Sequence, residues 1–255
     1  MKSTTKVVIG LLLLVASAAT RAELTLYAGV EYFDWKESTT PQVEETGPRA
    51  LAGVILLQDR ERGLLFGYRG QIYGGQVDYN GAELFTGAPV TGTVQYFGVL
   101  NEGQVRYRTP VTPNQHVDGM LAVGGDFWNR QFSADQKETW FVFYARLGLE
   151  LGPQAGKAGW VGAIGVKYPF YTYENGHLTD IGFDQNPTLH PGGSWSGYAS
   201  LGYRIGAHWS VTGFYDSYRF RQSPDVQATS GGTLYSIYQP QSSMDVYGVT
   251  VAYTF

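Results

Sequence analysis

The chain has 255 residues, which is enough for one large domain, and carries a formal net charge of −4 with only 16% charged residues. The absence of cysteine excludes disulfides and a lipid-anchored cysteine, and the modest acidic charge gives no indication of nucleic-acid binding. Glycine (34) and tyrosine (19) are abundant, whereas long stretches with helical periodicity are missing, so the composition favours close-packed strands with an aromatic girdle.

The first 22 residues have the layout of a secretory signal peptide. Lys2 and Lys6 precede an apolar run at 7–15, and small residues follow it. The run is too short for a spanning helix, which needs about 20 apolar residues. We therefore expect residues 1–22 to be removed on export and residues 23–255 to form the mature domain. The cleavage site stays open among Ala18, Ala19 and Ala22.

Ten segments are predicted to be β-strands, and most of them alternate apolar and polar side chains with a two-residue period, whereas 49–57 is apolar on both faces. In chain order they are 23–35, 49–57, 64–78, 94–108, 117–131, 139–151, 160–173, 195–205, 209–221 and 243–255. The long predicted loops are 36–48, 79–93, 174–194 and 222–242, and they alternate with shorter connections, except that the predicted loop 133–138 is also short. The sequence thus predicts an all-β fold, a closed antiparallel transmembrane β-barrel of ten strands. Eight or twelve strands, or a soluble β-sandwich, are the alternatives.

The last predicted strand, 243–255, has apolar or aromatic residues at every second position from Tyr247 and ends on an aromatic residue. Unpaired backbone groups in hydrocarbon cost several kcal/mol, so such a strand must join a closed barrel. This ending resembles the final strand of Gram-negative outer-membrane β-barrels. The resemblance implies that Tyr253 and Phe255 are the signal read by the barrel-assembly machinery. It also implies an outer-membrane location among lipid and lipopolysaccharide, with extracellular loops and periplasmic termini.

Charged side chains on the faces opposite the apolar ones are predicted to line the lumen. They are Glu31, Arg69, Glu102, Arg106, Asp118, Asp126, Arg146, Glu150, Lys167, Arg204 and Asp216, and Tyr171 is placed with them. A selective pore would show a ring of one sign, whereas these charges are nearly balanced. Mixed charges in a narrow space favour a network in which each finds a partner, so we expect a filled or very narrow lumen.

The predicted loop 174–194 contains a group with the residue types of a metal site. Its members are His177, Asp180, Asp184 and His190. Imidazole and carboxylate suit divalent transition metals, but this spacing fits no compact motif. We therefore predict neither a metal nor a cofactor.

A ten-stranded barrel resembles the omptin proteases in architecture. Those proteases carry paired Asp and Asp-His elements at the outer rim. In this chain Asp34, Asp78 and Asp216 are predicted near the outer strand ends, but no rim strand offers Asp-x-His. The Ser and His pair of a lipid A deacylase has no counterpart on the lipid side. No catalytic residue is therefore assigned.

The predicted loop 222–242 carries Tyr235, Tyr238 and Gln239 among Ser, Thr and Gly, which is the adaptable chemistry of recognition surfaces. We expect a non-enzymatic surface barrel with a role in interaction or envelope integrity and an unassigned extracellular ligand. One alternative is a narrow channel for small solutes or ions that depends on Glu102 and Arg106. The other is a rim hydrolase that depends on Asp216.

Overall fold

The computed structural model describes residues 22–82 and 87–255. Ten long strands make up the barrel: β1 (Ala22–Glu37), β2 (Val43–Gln58), β3 (Gly63–Ala82), β4 (Pro89–Thr112), β5 (Gln115–Gln131), β6 (Lys137–Pro153), β7 (Gly159–Gly176), β10 (Ser196–Ile205), β11 (Trp209–Arg221) and β14 (Ser242–Thr254). Four short strands lie in the two longest loops: β8 (Thr188–Leu189), β9 (Gly192–Ser194), β12 (Val226–Ser230) and β13 (Thr233–Ile237). Within the described part of the chain, no helix is long and apolar enough to cross a membrane.

The ten long strands pair in antiparallel order around a ring. β7 pairs with β10, and β14 pairs with β1 from Thr25↔Thr254 to Glu37↔Ser242, which closes the sheet. We call the end where β1 begins and β14 ends the terminal end, and the opposite end the loop end. The predicted closed ten-stranded antiparallel barrel is confirmed. The predicted signal peptide lies outside the described residues, apart from Ala22, with which β1 begins.

Side chains alternate between the outside and the lumen because successive residues of a strand point to opposite faces. On β6, Leu147 and Leu149 are exposed by 60% and 56%, whereas Tyr144 and Arg146 are buried inside. Tyr247, Val249 and Val251 repeat this outward row on β14. Such rows form an apolar belt around the barrel, as expected for a surface in contact with lipid chains.

The strands at the loop end are longer than predicted. β2 begins at Val43, within the predicted loop 36–48, although Pro48 lies inside it. Pro48 stands opposite Tyr32 of β1, while pairing with β3 is interrupted near it, so the missing N–H disturbs the ladder only locally. β3 and β4 likewise stay paired as far as Ala82↔Pro89. Backbone pairing thus continues beyond the apolar belt, where the hydropathy alternation no longer marks it.

The prediction that Tyr171 faces the lumen is wrong. The pairing of β6 with β7 shifts by one residue, so that Phe143 faces Tyr171 and Tyr144 faces Pro169. Both Phe170 and Tyr171 therefore point outward, exposed by 54% and 46%. Pro169 has no N–H to donate to the ladder, and an irregularity of this kind is where a strand accommodates proline.

Candidate functional site

An aromatic cluster fills the loop half of the lumen. Its central members come from β1, β5, β6 and β11 and are Trp35, Trp128, Trp140, Tyr218 and Phe220, each at most 4% exposed. The rings of Trp128 and Trp140 stack with centroids 5.4 Å apart, and Trp35 meets Trp140 edge-on at 5.3 Å. Because strands from both sides of the barrel contribute rings that touch, the aromatic cluster closes the lumen at this level.

Arg130 lies beside the aromatic cluster, toward the loop end, and is surrounded by carboxylates. Its guanidinium contacts Glu45, reaches Glu138 at 2.8 Å and Glu37 at 3.2 Å, and lies 5.3 Å from the ring of Trp35. Glu174 is buried close by. Arg130 is absent from the predicted lumen residues, although Asp126, Trp128 and Arg130 continue one inward row of β5.

The structure places the eleven charged residues predicted to line the lumen inside the barrel. Most of them form ion pairs between strands that lie one to three positions apart around the ring. The pairs are Arg49–Glu31, Arg106–Glu150, Arg108–Asp118, Arg146–Glu102, Lys167–Asp216 and Arg204–Glu23. Arg108 binds both oxygens of Asp118 at 2.9 Å, and Arg146 reaches Glu102 at 3.0 Å. The charges therefore hold the strands together across the lumen, since a buried charge needs a partner.

Two of these residues have neutral partners instead. Asp126 accepts hydrogen bonds from the hydroxyls of Tyr73 and Tyr218, at 2.7 and 3.1 Å. Arg69 donates from Nη2 to Gln71 at 2.7 Å and from Nε to Tyr27 at 3.2 Å.

The terminal half of the lumen contains a cavity of about 310 Å³, which we call the terminal cavity. Its walls include Arg69, Arg106, Arg146, Glu150 and Asp216. A second cavity of about 260 Å³ lies at the terminal end. The two share the ion pair Arg204–Glu23 as lining, so the terminal cavity reaches that end of the barrel.

The two longest loops join at the loop end. The backbone N–H of Asp184 donates to the carbonyl of Thr229 at 2.9 Å, and its carboxylate accepts from the N–H of Thr229 at 2.7 Å. Ser230 donates from its hydroxyl to the carbonyl of Gly182 at 3.1 Å. The hairpin of β12 and β13 is thereby fastened to the short 3₁₀ segment Leu178–Ile181 and the residues after it. We call residues 178–185 and 226–237 the loop platform.

The residues proposed for recognition divide between the loop platform and the barrel. Tyr238, which follows the β12–β13 hairpin, is 44% exposed, and Leu234 within the hairpin is 66% exposed. The ring of Tyr235 packs 5.6 Å from that of Phe183. Gln239 is buried, and its side chain donates to Glu37 at 3.2 Å, so it fastens the loop to the lumen.

The four residues considered for a metal site have separate partners. His177 lies 3.0 Å from the hydroxyl of Thr139, Asp180 pairs with Lys137 at 3.3 Å, Asp184 binds Thr229, and Nδ1 of His190 lies 2.8 Å from the carbonyl of Thr172. In residues 22–82 and 87–255, no three His, Asp or Glu side chains come together as a cation-binding group.

Asp216 is not at the outer rim, so that prediction is wrong. β11 continues for five residues past it to Arg221, and its carboxylate lines the terminal cavity, 2.5 Å from Nζ of Lys167. Asp34 faces outward and pairs with Lys36 at 3.0 Å, and Asp78 is exposed on β3. The rim-hydrolase hypothesis thereby loses the residue on which it depended.

The two aromatic residues predicted to form an assembly signal lie at the terminal edge of the apolar belt. The rings of Tyr253 and Phe255 are 4.8 Å apart, and Trp209 packs 5.0 Å from Tyr253. The N–H of Phe255 donates to the carbonyl of Leu24 at 2.9 Å, which continues the β1–β14 pairing. Phe255 itself is 66% exposed.

No protein-family model matches this chain, and no curated protein matches it in sequence. Among solved structures, it is similar to the outer membrane protease OmpT from Escherichia coli, with a TM-score of 0.58 and 11% identity over 92% of this chain and 97% of that chain. The transport unit of the autotransporter AIDA-I from Escherichia coli matches with a TM-score of 0.46 and 8% identity, covering 92% and 91% of the two chains. Ail of Yersinia pestis matches with a TM-score of 0.34 and 8% identity, covering 92% and 100%. At such identities the likeness concerns architecture, and the chain has the fold of an outer-membrane β-barrel.

Proposed function

We propose that this chain is a non-conducting outer-membrane barrel that presents the loop platform outside the cell as a contact surface. The observation that carries the proposal is the joining of the two longest loops by the bonds of Asp184 and Ser230. A loop that is hydrogen-bonded to its neighbour loses less conformational entropy on binding than a free one. In this proposal the loops are extracellular, both termini are periplasmic, the belt faces lipid and lipopolysaccharide, and the barrel-assembly machinery inserts the chain.

The aromatic cluster supports the absence of conduction. A hydrophobic constriction already resists ion passage by excluding water, and here the constriction is filled by the touching rings of Trp35, Trp128 and Trp140. We expect planar-bilayer recordings of refolded residues 23–255 to show no single-channel steps. Heat-modifiable migration on a gel would establish that the barrel had folded. Steady steps whose size changes in Glu102→Ala or Arg106→Ala would contradict the proposal and identify a channel.

The contact surface is tested by replacing residues 226–237 with a short Gly-Ser turn. The two ends of this hairpin lie together, because Val226 pairs with Ile237. We expect the barrel to keep its folding and heat-modifiability, while cells that display it lose adhesion to a panel of immobilised glycans and proteins. The matched control replaces 154–158, the turn at the terminal end, with the same linker and should adhere like the unaltered protein. Equal adhesion of all three forms would count against the loop platform.

A further inference from the structure

We infer that the terminal cavity is a binding site for a small anion with carboxylate or phosphate oxygens, and that Arg69 is the residue that binds it. The site is separate from the loop platform, since the aromatic cluster fills the part of the lumen that lies between them. The inference does not depend on what the loops contact.

The charges around the terminal cavity are not fully balanced. The other arginines of its wall, Arg106, Arg108, Arg146 and Arg204, each have a carboxylate partner, and His116 lies 3.7 Å from Asp118. Among the described residues no carboxylate oxygen comes within 4.0 Å of an Arg69 nitrogen. Two lumen carboxylates of the described chain lack an ion-pair partner, Asp126 and Glu174, and neither is part of the cavity wall. Asp126 is bound by two tyrosines. One positive charge is therefore left at the wall.

The hydrogen-bond partners of Arg69 among the described residues are neutral and occupy only part of its guanidinium. A guanidinium has five N–H donors in a planar fork, and the described residues accept from Nε and Nη2 only, through Tyr27 and Gln71. Tyr27 in turn donates to Gln71 at 3.0 Å, so the two neutral partners support each other and fix the guanidinium. The remaining donors match the geometry of a carboxylate or a phosphate.

The volume of the terminal cavity and its entrance at the terminal end limit which anions can bind. A cavity of about 310 Å³ corresponds to roughly ten water molecules, each occupying about 30 Å³ in the liquid. That is room for phosphate or for a carboxylate with a short carbon skeleton. Entry is from the terminal end, past the Arg204–Glu23 pair at 3.3 Å. An unpaired guanidinium away from bulk water is costly, and a bound anion would offset that cost.

The test is titration calorimetry of the refolded barrel with acetate, with phosphate and with acetamide, which is the neutral counterpart of acetate. We expect saturable binding of the two anions and none of acetamide. In Gln71→Glu a carboxylate would take the place of the side-chain oxygen that lies 2.7 Å from Nη2 of Arg69, and anion affinity should fall by roughly tenfold or more. This variant adds a partner for Arg69, so the barrel should fold at least as well as before.

Two further variants complete the test. Arg69→Gln removes the charge and should lose anion binding as well. Arg219→Gln removes a charge from the outer face, where Arg219 pairs with Asp245 at 2.6 Å, and should bind acetate like the unaltered protein. Undiminished anion affinity in Gln71→Glu and Arg69→Gln, equal binding of acetamide, or no saturable binding by the unaltered barrel would each overturn the inference.

Discussion

At the scale of single residues, the lumen depends on guanidinium groups that serve several carboxylates at once. Arg130 is the extreme case, because Glu37, Glu45 and Glu138 all bind it and none has another cation within ion-pair distance among the described residues. Removing one partner of a buried ion pair lowers the free energy of unfolding by far more than the intact pair contributes to it, since the removal leaves an uncompensated charge.

Arg130→Met should therefore lower the free energy of unfolding by about 3–5 kcal/mol, because three carboxylates would then face one another without a cation. Denaturant titration of the refolded barrel, followed by tryptophan fluorescence, measures the change. Arg219→Met is the matched control, since it breaks an ion pair on the outer face that contributes about 0–1 kcal/mol. A similar loss in both variants would show that Arg130 has no special part in the lumen.

At the scale of strands, glycines on the lumen face make space for tyrosine rings from neighbouring strands. Gly124 of β5 faces Tyr144 of β6, and a Cβ at Gly124 would lie 2.5 Å from the ring's Cζ and 3.0 Å from the carbonyl oxygen of Asn101. Gly119 of the same strand has nothing within 4 Å of such a Cβ. The close approach of ring and backbone at Gly124 is thus absent at the outward-facing Gly119.

Gly124→Ala should destabilise the barrel by about 1–3 kcal/mol, the usual cost of overpacking a filled interior. Gly119→Ala adds the same methyl group to the same strand in open space and should be neutral or slightly stabilising, because glycine weakens a strand. Comparison of the two unfolding curves measures the difference. If both variants unfold alike, the fit of Tyr144 against Gly124 contributes nothing.

The strands show how far sequence periodicity extends. Wherever lipid meets one face, the two-residue period predicts the strand, as on β6 and β11. The predicted loop 222–242 contains the β12–β13 hairpin, whose two-residue turn, Gly231 and Gly232, both at positive φ, is a hairpin signal in the sequence.

The partners of the lumen charges could not be predicted in this way. Arg130 meets Glu45 from β2, three strands away around the ring, and Arg146 meets Glu102 from β4, two strands away. Such partners follow from the stagger and closure of the barrel, which the pattern within one strand does not contain. The inward direction of a charge is therefore predictable from the sequence, whereas its partner is not.

At the scale of the whole molecule, the proposed orientation can be tested because the chain has no cysteine of its own. Thr233 is exposed at the tip of the β12–β13 hairpin, and Lys157 is exposed in the turn between β6 and β7 at the terminal end. In intact cells, a membrane-impermeant maleimide should label Thr233→Cys and leave Lys157→Cys unlabelled. Permeabilised cells should label both. Labelling of Lys157→Cys alone in intact cells would reverse the orientation.

The seam between β1 and β14 has a kinetic consequence. It joins Thr25 to Thr254, residues 229 positions apart. Every other pairing in the ring links two barrel strands that are consecutive in the sequence of barrel strands along the chain. Contacts between distant residues form slowly, because the entropy of closing the long intervening chain is lost before the contact is gained. A partly folded sheet would thus keep two bare edges until its final step, and such edges recruit other strands. The time spent with this seam open should decide between insertion and aggregation.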